Sequence, residues 1–300
     1  LHVNKVGINT KDVAKELARV AQVKLVDIGF AGLKDKNSTA TQYFTIRFPH
    51  QRIINWESID KEKIRILSIK RHNRKIRRGK LFGNYFKIIL RDISGNRIEA
   101  ESVAKKISLY GVPNYFGPQR FGKNSSNLHF AAHWLVDNKK RIKPEKKRMT
   151  ISAAKSYIFN KVLAKRVKEG IWDQALRGDV FIIDGSEKQF IDNANYVSNI
   201  KRVIAREIHP SGPMPGSISR ALKPDGDAAK IEAEIFCESQ VSRWVEGLIN
   251  VGALRERRAL RLIPKNLSFK WLTNSSAQIC FFLPRGSFGT SVVREIMSIK

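Results

Sequence analysis

The stretch Gly29-Phe30-Ala31-Gly32-Leu33-Lys34-Asp35-Lys36, running on into Thr39, Thr41 and Gln42, places a polar, glycine-punctuated turn between two apolar runs. Leu25-Val26-Asp27-Ile28 before it reads as a strand. Tyr43-Phe44-Thr45-Ile46-Arg47-Phe48 after it, aromatic, branched and ended by Pro49, reads as another. Within the turn Asp35 is flanked by Lys34 and Lys36, and nearby cations favour an ionised carboxylate. Such a carboxylate can act as a nucleophile or charge stabiliser toward a sugar C1′. It can equally be a turn residue whose side chain caps local N–H groups, and the segment alone leaves both readings open.

Two further segments join aromatics and glycines to polar groups in the same way. One is Val112-Pro113-Asn114-Tyr115-Phe116-Gly117-Pro118-Gln119-Arg120-Phe121-Gly122. The other runs from Phe281 through Leu283-Pro284-Arg285-Gly286-Ser287-Phe288-Gly289 to Glu295. Loops of this make-up are where binding and catalytic groups concentrate.

Around these segments the pattern alternates between helix and strand. Asn9-Thr10 can cap a helix over 11–23 with Val13, Leu17 and Val20 on one face. Residues 63–69 and 85–93 read as strands, and 98–109 and 126–137 as helices. The basic, proline-containing segment 138–148 reads as a linker. From residue 150 the character changes: 152–168 is a strong amphipathic helix, and the chain onward to about 262 reads as mainly helical with irregular loops. Strand character returns only at 277–283, before a last helix over 290–297. The order predicts an α+β fold: a discontinuous first domain, 1–149 with 263–300, carrying an inserted, mainly helical domain, 150–262.

Charge narrows the function. The 300 residues hold 56 Lys and Arg against 27 Asp and Glu, a formal net charge of +29. An excess of that size makes a polyanion the default partner, nucleic acid before an anionic membrane surface. The run Lys70–Lys87 carries eight Lys or Arg with Phe82, Tyr85 and Phe86 close by, and Arg74, Lys75, Arg77 and Arg78 are its candidate RNA-backbone contacts. Cys237 and Cys280 are too few for a disulfide framework or a four-cysteine zinc site, which fits a reducing cytoplasm. The longest apolar run, 277–283, is far too short to span a bilayer, and no signal peptide is visible.

Other chemistries fail on residue type. Gly117-Pro118-Gln119-Arg120-Phe121-Gly122-Lys123-Asn124 nearly spells a phosphate loop, yet Asn124 stands where a magnesium-binding hydroxyl belongs and Pro118, Arg120 and Phe121 spoil the amide cradle. His129 and His133 have zinc-pair spacing, but Phe130 replaces the general-base glutamate and no further ligand lies at spacing, so no metal is expected. Gly-x-Gly-x-x-Gly and Gly-x-Ser-x-Gly are both absent, which argues against a dinucleotide site and a serine hydrolase elbow.

Ala31-Gly32-Leu33-Lys34-Asp35-Lys36 with Gln42, the run Asn114–Gly122 and the Leu-Pro-x-Gly-Ser-Phe-x-Thr-Ser-Val-Val-Arg-Glu ending together resemble the TruD family of tRNA pseudouridine synthases. Ser152-Ala153-Ala154-Lys155-Ser156-Tyr157-Ile158-Phe159-Asn160 and Gly212-Pro213-Met214-Pro215-Gly216 resemble further signatures of that family, in the same order. The resemblance implies a pseudouridine-synthase catalytic domain around a mixed, mostly antiparallel sheet, interrupted by a family-specific insertion. It implies isomerisation of uridine 13 in the D arm of certain tRNAs, without cofactor, with Asp35 as the catalytic aspartate. Asn114 and Phe116 match residues lining the active site, Phe116 being placed to stack on the target base. Lys34, Lys36, Arg120 and Phe288 are further substrate-binding candidates. The alternative is a non-catalytic RNA-binding or RNA-chaperone protein that keeps the fold. Two departures bear on this. Ala40 stands where the family usually has threonine, and family members usually begin several dozen residues earlier. That upstream region normally supplies a basic partner for the aspartate, so a chain starting at Leu1 is expected to lack an edge strand and that partner. Oligomeric state is not legible in the sequence.

Overall fold

Val3 and Lys5, two apart and therefore on one face of a strand, are both about 1% exposed. They belong to β1 (His2–Val6) of a computed structural model describing residues 1–48, 53–59, 62–136, 141–191 and 195–298. The strands that follow are β2 (Ile28–Phe30), β3 (Thr39–Ile46), β4 (Ile64–Ser68), β5 (Gly83–Leu90), β6 (Val112–Pro113), β7 (Phe181–Ile183) and β8 (Gln189–Phe190). After them come β9 (Ile208–Met214), β10 (Glu256–Ala259), β11 (Arg261–Leu262), β12 (Lys265–Trp271) and β13 (Ala277–Pro284). The helices are α1 (Thr10–Ala21), α2 (Arg97–Tyr110), α3 (Ser126–Val136), α4 (Pro144–Lys168), α5 (Tyr196–Ile204), α6 (Gly226–Phe236), α7 (Ser239–Asn250) and α8 (Gly289–Ile296).

The chain forms two compact units, Leu1–Gly83 and Asn84–Lys300. In the first, the sheet order β2-β3-β1-β4 puts β1 inside the sheet, antiparallel to both its neighbours. Helix α1 packs on it because Val13, Ala14, Leu17 and Ala18, at helical spacing, bury against Val3, Ile28, Phe30 and Phe44.

In the second unit β12, β13 and β5 form one sheet, backed by Ile107 of α2 and by Val292 and Val293 of α8. The two-stranded pair β6–β11 is antiparallel, Val112 opposite Leu262. It depends on Gly111, whose φ is +80° and where a Cβ would lie 2.6 Å from the Leu262 carbonyl oxygen. A helical core of α3, α4, α6 and α7 closes around Trp134, Ile158, Trp244 and Leu248. A third sheet, β10-β9-β7-β8, lies in the stretch between α4 and β11.

The α+β reading holds, with corrections. Leu25–Asp27 is a 3-10 turn, not a strand, and the strand starts at Ile28. Strand structure does not wait until 277: β7, β8, β9 and β10 all fall in the stretch read as helix and loop, and β12 precedes β13. The period-two signal for β12 is present in Leu267, Phe269 and Trp271. Part of the expected linker is helix: α4 begins at Pro144, whose fixed φ and missing N–H suit a first helical position. Residues 138–140 of that linker, and Pro49, lie outside the described residues. Among the described residues no helix is long and apolar enough to cross a membrane, and no three His, Cys, Asp or Glu side chains group as metal ligands.

One buried titrating group gives the fold a pH dependence. His209 in β9 is 4% exposed; Arg261 Nε donates to its Nδ1 at 3.1 Å, leaving Nε2 to donate to Asp184 Oδ1 at 3.2 Å. Burial lowers the imidazole pKa below its ordinary 6.5 although Asp184 opposes the shift, and the Arg261 cation lowers it further. Below pH 6.5 the unfolded chain therefore binds the extra proton first. The contribution is complete above that value and is lost as pH falls through the folded pKa. The urea midpoint is expected to drop between pH 7 and pH 5, and His209→Gln to flatten that drop. An equal drop in the variant would assign it to other groups.

Candidate functional site

Asp35 lies in the loop between β2 and β3, and the loop is pinned from below. Lys5 Nζ, from the buried face of β1, donates to the Asp35 carbonyl oxygen at 2.5 Å, and Ser38 Oγ donates to the same oxygen at 2.8 Å. Thr10 Oγ1 accepts from the Lys34 amide at 2.9 Å while donating to Gln42 Oε1 at 2.9 Å, and Gln42 Nε2 donates to the Gly32 carbonyl at 3.2 Å. Thr10 and Gln42 are themselves buried, so these bonds form away from competing water. The backbone is fixed while Asp35 and Lys36 remain exposed and Lys34 is half-buried.

The electrostatics around Asp35 are positive. Burial lowers the Lys5 pKa, and the nearby Asp35 charge partly restores it; Lys34 shows the same pair of opposed effects. Besides Lys34 and Lys36 in the loop itself, β1 brings Lys5 to Asp35 as a further basic neighbour. Sequence reasoning missed Lys5. Its signal was a lysine in phase with Val3 on the apolar face of a strand, where a charge is costly unless it has partners.

The basic stretch is not a solvated tail. Residues 75–79 cross over the edge strand β2, with Ile76 N donating to Thr45 Oγ1 at 3.0 Å and Gly79 N to the Ala31 carbonyl at 2.7 Å. Lys75 Nζ caps the Val26 carbonyl, and the Arg78 guanidinium lies 5.3 Å from the centre of the Phe30 ring. Only glycine fits at position 29, since a Cβ there would approach the Ile76 carbonyl oxygen to 2.4 Å. Arg74, Lys75, Arg77 and Arg78 are exposed along this crossing.

The second unit gathers Asn114, Phe116, Arg120 and Phe288. Phe116 is buried, edge-on to Phe159 at 5.5 Å and to Phe288 at 5.7 Å. Two guanidinium groups approach its ring, Arg258 at 4.1 Å and Arg120 at 5.2 Å. Asn114 is fixed on both sides: its Nδ2 donates to the Ala259 carbonyl at 2.8 Å and its Oδ1 accepts from Arg258 Nη2 at 2.5 Å. Arg258 Nη1 donates to the Gly286 carbonyl at 2.9 Å, tying the third motif to the second. Burial, with the like charge of Arg120, pushes the Arg258 pKa down to about 9, so the group stays cationic at neutral pH.

The run 152–160 on α4 explains itself at this cluster. Ser152 Oγ accepts from Arg120 Nη1 at 2.9 Å, and Asn160 clamps the Phe116 backbone by accepting from its N–H at 2.9 Å and donating to its carbonyl at 3.0 Å. Beside it lies a cavity of about 540 Å³ whose lining includes Tyr115, Phe116, Asn160, Arg294 and Glu295. Asn160 and Arg258 were not singled out from sequence. Asn160 ends a quoted motif, whereas Arg258 is one of several arginines in a charged run and carried no signal.

A family profile described as tRNA pseudouridine synthase D (TruD) matches residues 1–141 and 139–296. The tRNA pseudouridine synthase D of Methylococcus capsulatus is 40% identical over 297 residues, which cover 99% of this chain and 83% of the relative. That of Hydrogenovibrio crunogenus is 38% identical over 298 residues, covering 99% and 85%. A crystal structure of a protein described as tRNA pseudouridine synthase D (TruD) from Methanosarcina mazei superposes with a TM-score of 0.69, covering 100% of this chain and 87% of that one. At 21% identity that likeness speaks for the shared fold.

Proposed function

The chain belongs to the tRNA pseudouridine synthase D family, and on that premise we propose that it isomerises uridine 13, in the D arm of tRNA, with Asp35 as the catalytic residue. As a tRNA pseudouridine synthase it converts uridine to pseudouridine. The N1–C1′ bond breaks, the uracil turns, C5 bonds to C1′, the C5 proton leaves and N1 gains one, so the change is redox-neutral. The base must leave the helical stack to turn. Asp35 serves this step by bonding to C1′ or by taking a proton from the sugar. Lys34 and Lys36 supply positive charge beside it. Asn114, Phe116, Arg120 and Phe288 bind substrate, with Phe116 stacking on the base, while Arg74, Lys75, Arg77 and Arg78 hold RNA phosphates. The enzyme works in the cytoplasm. The chain is divided between a catalytic part, 1–149 with 263–300, and an insertion, 150–262.

The observation that carries this reading is the Asp35 loop, gripped through its backbone by Lys5, Thr10, Ser38 and Gln42 while the aspartate itself is exposed. Preorganisation of this kind is what a reacting carboxylate needs. The test is carbodiimide mapping of a tRNA transcript after incubation with the chain. One pseudouridine at position 13 is expected, and none when that uridine is replaced by cytidine. Product at another position would overturn the assignment of the target, and binding without product would favour the RNA-chaperone reading.

Lys5 gives a separate prediction. Lys5→Met keeps the length of the side chain but removes the donor to the Asp35 carbonyl, so the loop shifts. Because a displacement of about 1 Å can cost on the order of 10²-fold in rate, kcat is expected to fall about tenfold or more, with tRNA affinity within a few-fold. An unchanged kcat would show that the remaining anchors suffice.

A further inference from the structure

Within the unit Leu1–Gly83, helix α1, the Leu25–Asp27 turn and the crossing segment 75–78 enclose a groove of about 670 Å³. Lys11 and Lys15 stand on one side, and Lys75, Arg77 and Arg78 on the other; among the described residues that line it there is no Asp or Glu. Beside it, Asp12 pairs with Lys15 at 3.1 Å. The groove also has an apolar part that water reaches. Leu25 is 50% and Val26 71% exposed, and Lys75 Nζ holds the Val26 carbonyl, fixing that turn to the basic segment.

We propose that this groove seats one unstacked nucleotide of the tRNA, its flanking phosphates on Lys11 and Lys15 and on Arg77 and Arg78, its base against Leu25 and Val26. Five cations flanking an apolar surface match the combination of backbone charge and base face that single-stranded RNA presents. An acidic peptide would satisfy the charge but leave the apolar floor unused. Asp35 does not line the groove, so the nucleotide held here is not the one isomerised. The inference rests on the reading of the basic stretch as an RNA contact and extends it to α1, whose lysines no motif marks.

The test measures tRNA affinity of the full chain against salt for three proteins. In Lys11→Gln/Lys15→Gln, both sites being exposed on α1, the log–log slope should fall by about two and affinity at 0.1 M salt by about tenfold. Replacing Arg74, Lys75, Arg77 and Arg78 by alanine tests the basic stretch by itself. If only that variant flattens the slope, the stretch binds RNA and the groove proposal fails; if neither does, both readings fail. A second measurement places p-benzoylphenylalanine at Val26 and maps photo-crosslinks on the tRNA. A crosslink to one nucleotide outside the modified position is expected. No crosslink, or one to the isomerised uridine, would overturn the proposal.

Discussion

Replacing Asp35 with alanine is expected to lower kcat for pseudouridine formation by at least about 10³-fold, on the scale seen when a nucleophile is removed elsewhere, while tRNA affinity stays within a few-fold. The separation of the two effects follows from how the loop is held. The bonds from Lys5 and Ser38 end on the Asp35 carbonyl, that to Thr10 starts from the Lys34 amide, and that from Gln42 ends on the Gly32 carbonyl. These anchors grip the backbone and survive truncation of the side chain. Asp35→Asn, which keeps the shape and removes the charge, should lose as much. Release of tritium from C5-labelled uridine in tRNA measures the step directly, because the C5 proton must leave. Residual release near the wild-type rate would take Asp35 out of the mechanism.

Much of this site is legible in sequence because its residue types are unusual together. A carboxylate between two lysines after a glycine turn, and aromatics interleaved with Asn, Gly and Arg, have few ordinary explanations. What escaped is what long-range contact decides. Lys5 is one lysine in a five-residue strand, and only its pairing with a loop thirty residues on gives it a role. Arg258 reaches Asn114 across 144 residues. Strand β9 reads Ile-His-Pro-Ser-Gly-Pro-Met, a turn by propensity, yet it lies between β10 and β7. It is a strand because its neighbours impose it. Gly212 admits the Phe159 ring and Leu260, which a Cβ would meet at about 3.0 and 2.9 Å, and Pro210 offers its carbonyl to Leu260 N at 2.8 Å. Conversely Leu25 and Val26 look like a strand but stay exposed in a 3-10 turn, so apolar character alone misread them.

The largest loss of stability is expected at a pair that the reaction does not use. Arg166 in α4 and Asp179 are each about 1% exposed and meet in a two-pronged contact, Nη1 donating to Oδ2 at 3.2 Å and Nη2 to Oδ1. Asp179 Oδ2 also accepts from the Leu176 amide at 2.8 Å. Close by, Arg257 donates to Glu232 at 2.6 Å; burial raises the Glu232 pKa and the Arg257 and Arg166 cations oppose that rise, so the two pairs share one field. Asp179→Ala strands a buried guanidinium, and removing one partner of such a pair costs about 3–5 kcal/mol. Replacing both, Arg166→Met with Asp179→Leu, takes the orphaned charge away with its partner. Most of the loss should then return, since a buried ion pair is often no more stabilising than an apolar pair of similar volume. Urea denaturation of the two variants beside the wild type decides the matter. A double variant as unstable as Asp179→Ala would mean that the cost lies in packing or in the Leu176 turn rather than in the unpaired charge. A loss below about 1 kcal/mol in the single variant would mean that Glu232 can take up Arg166 unaided.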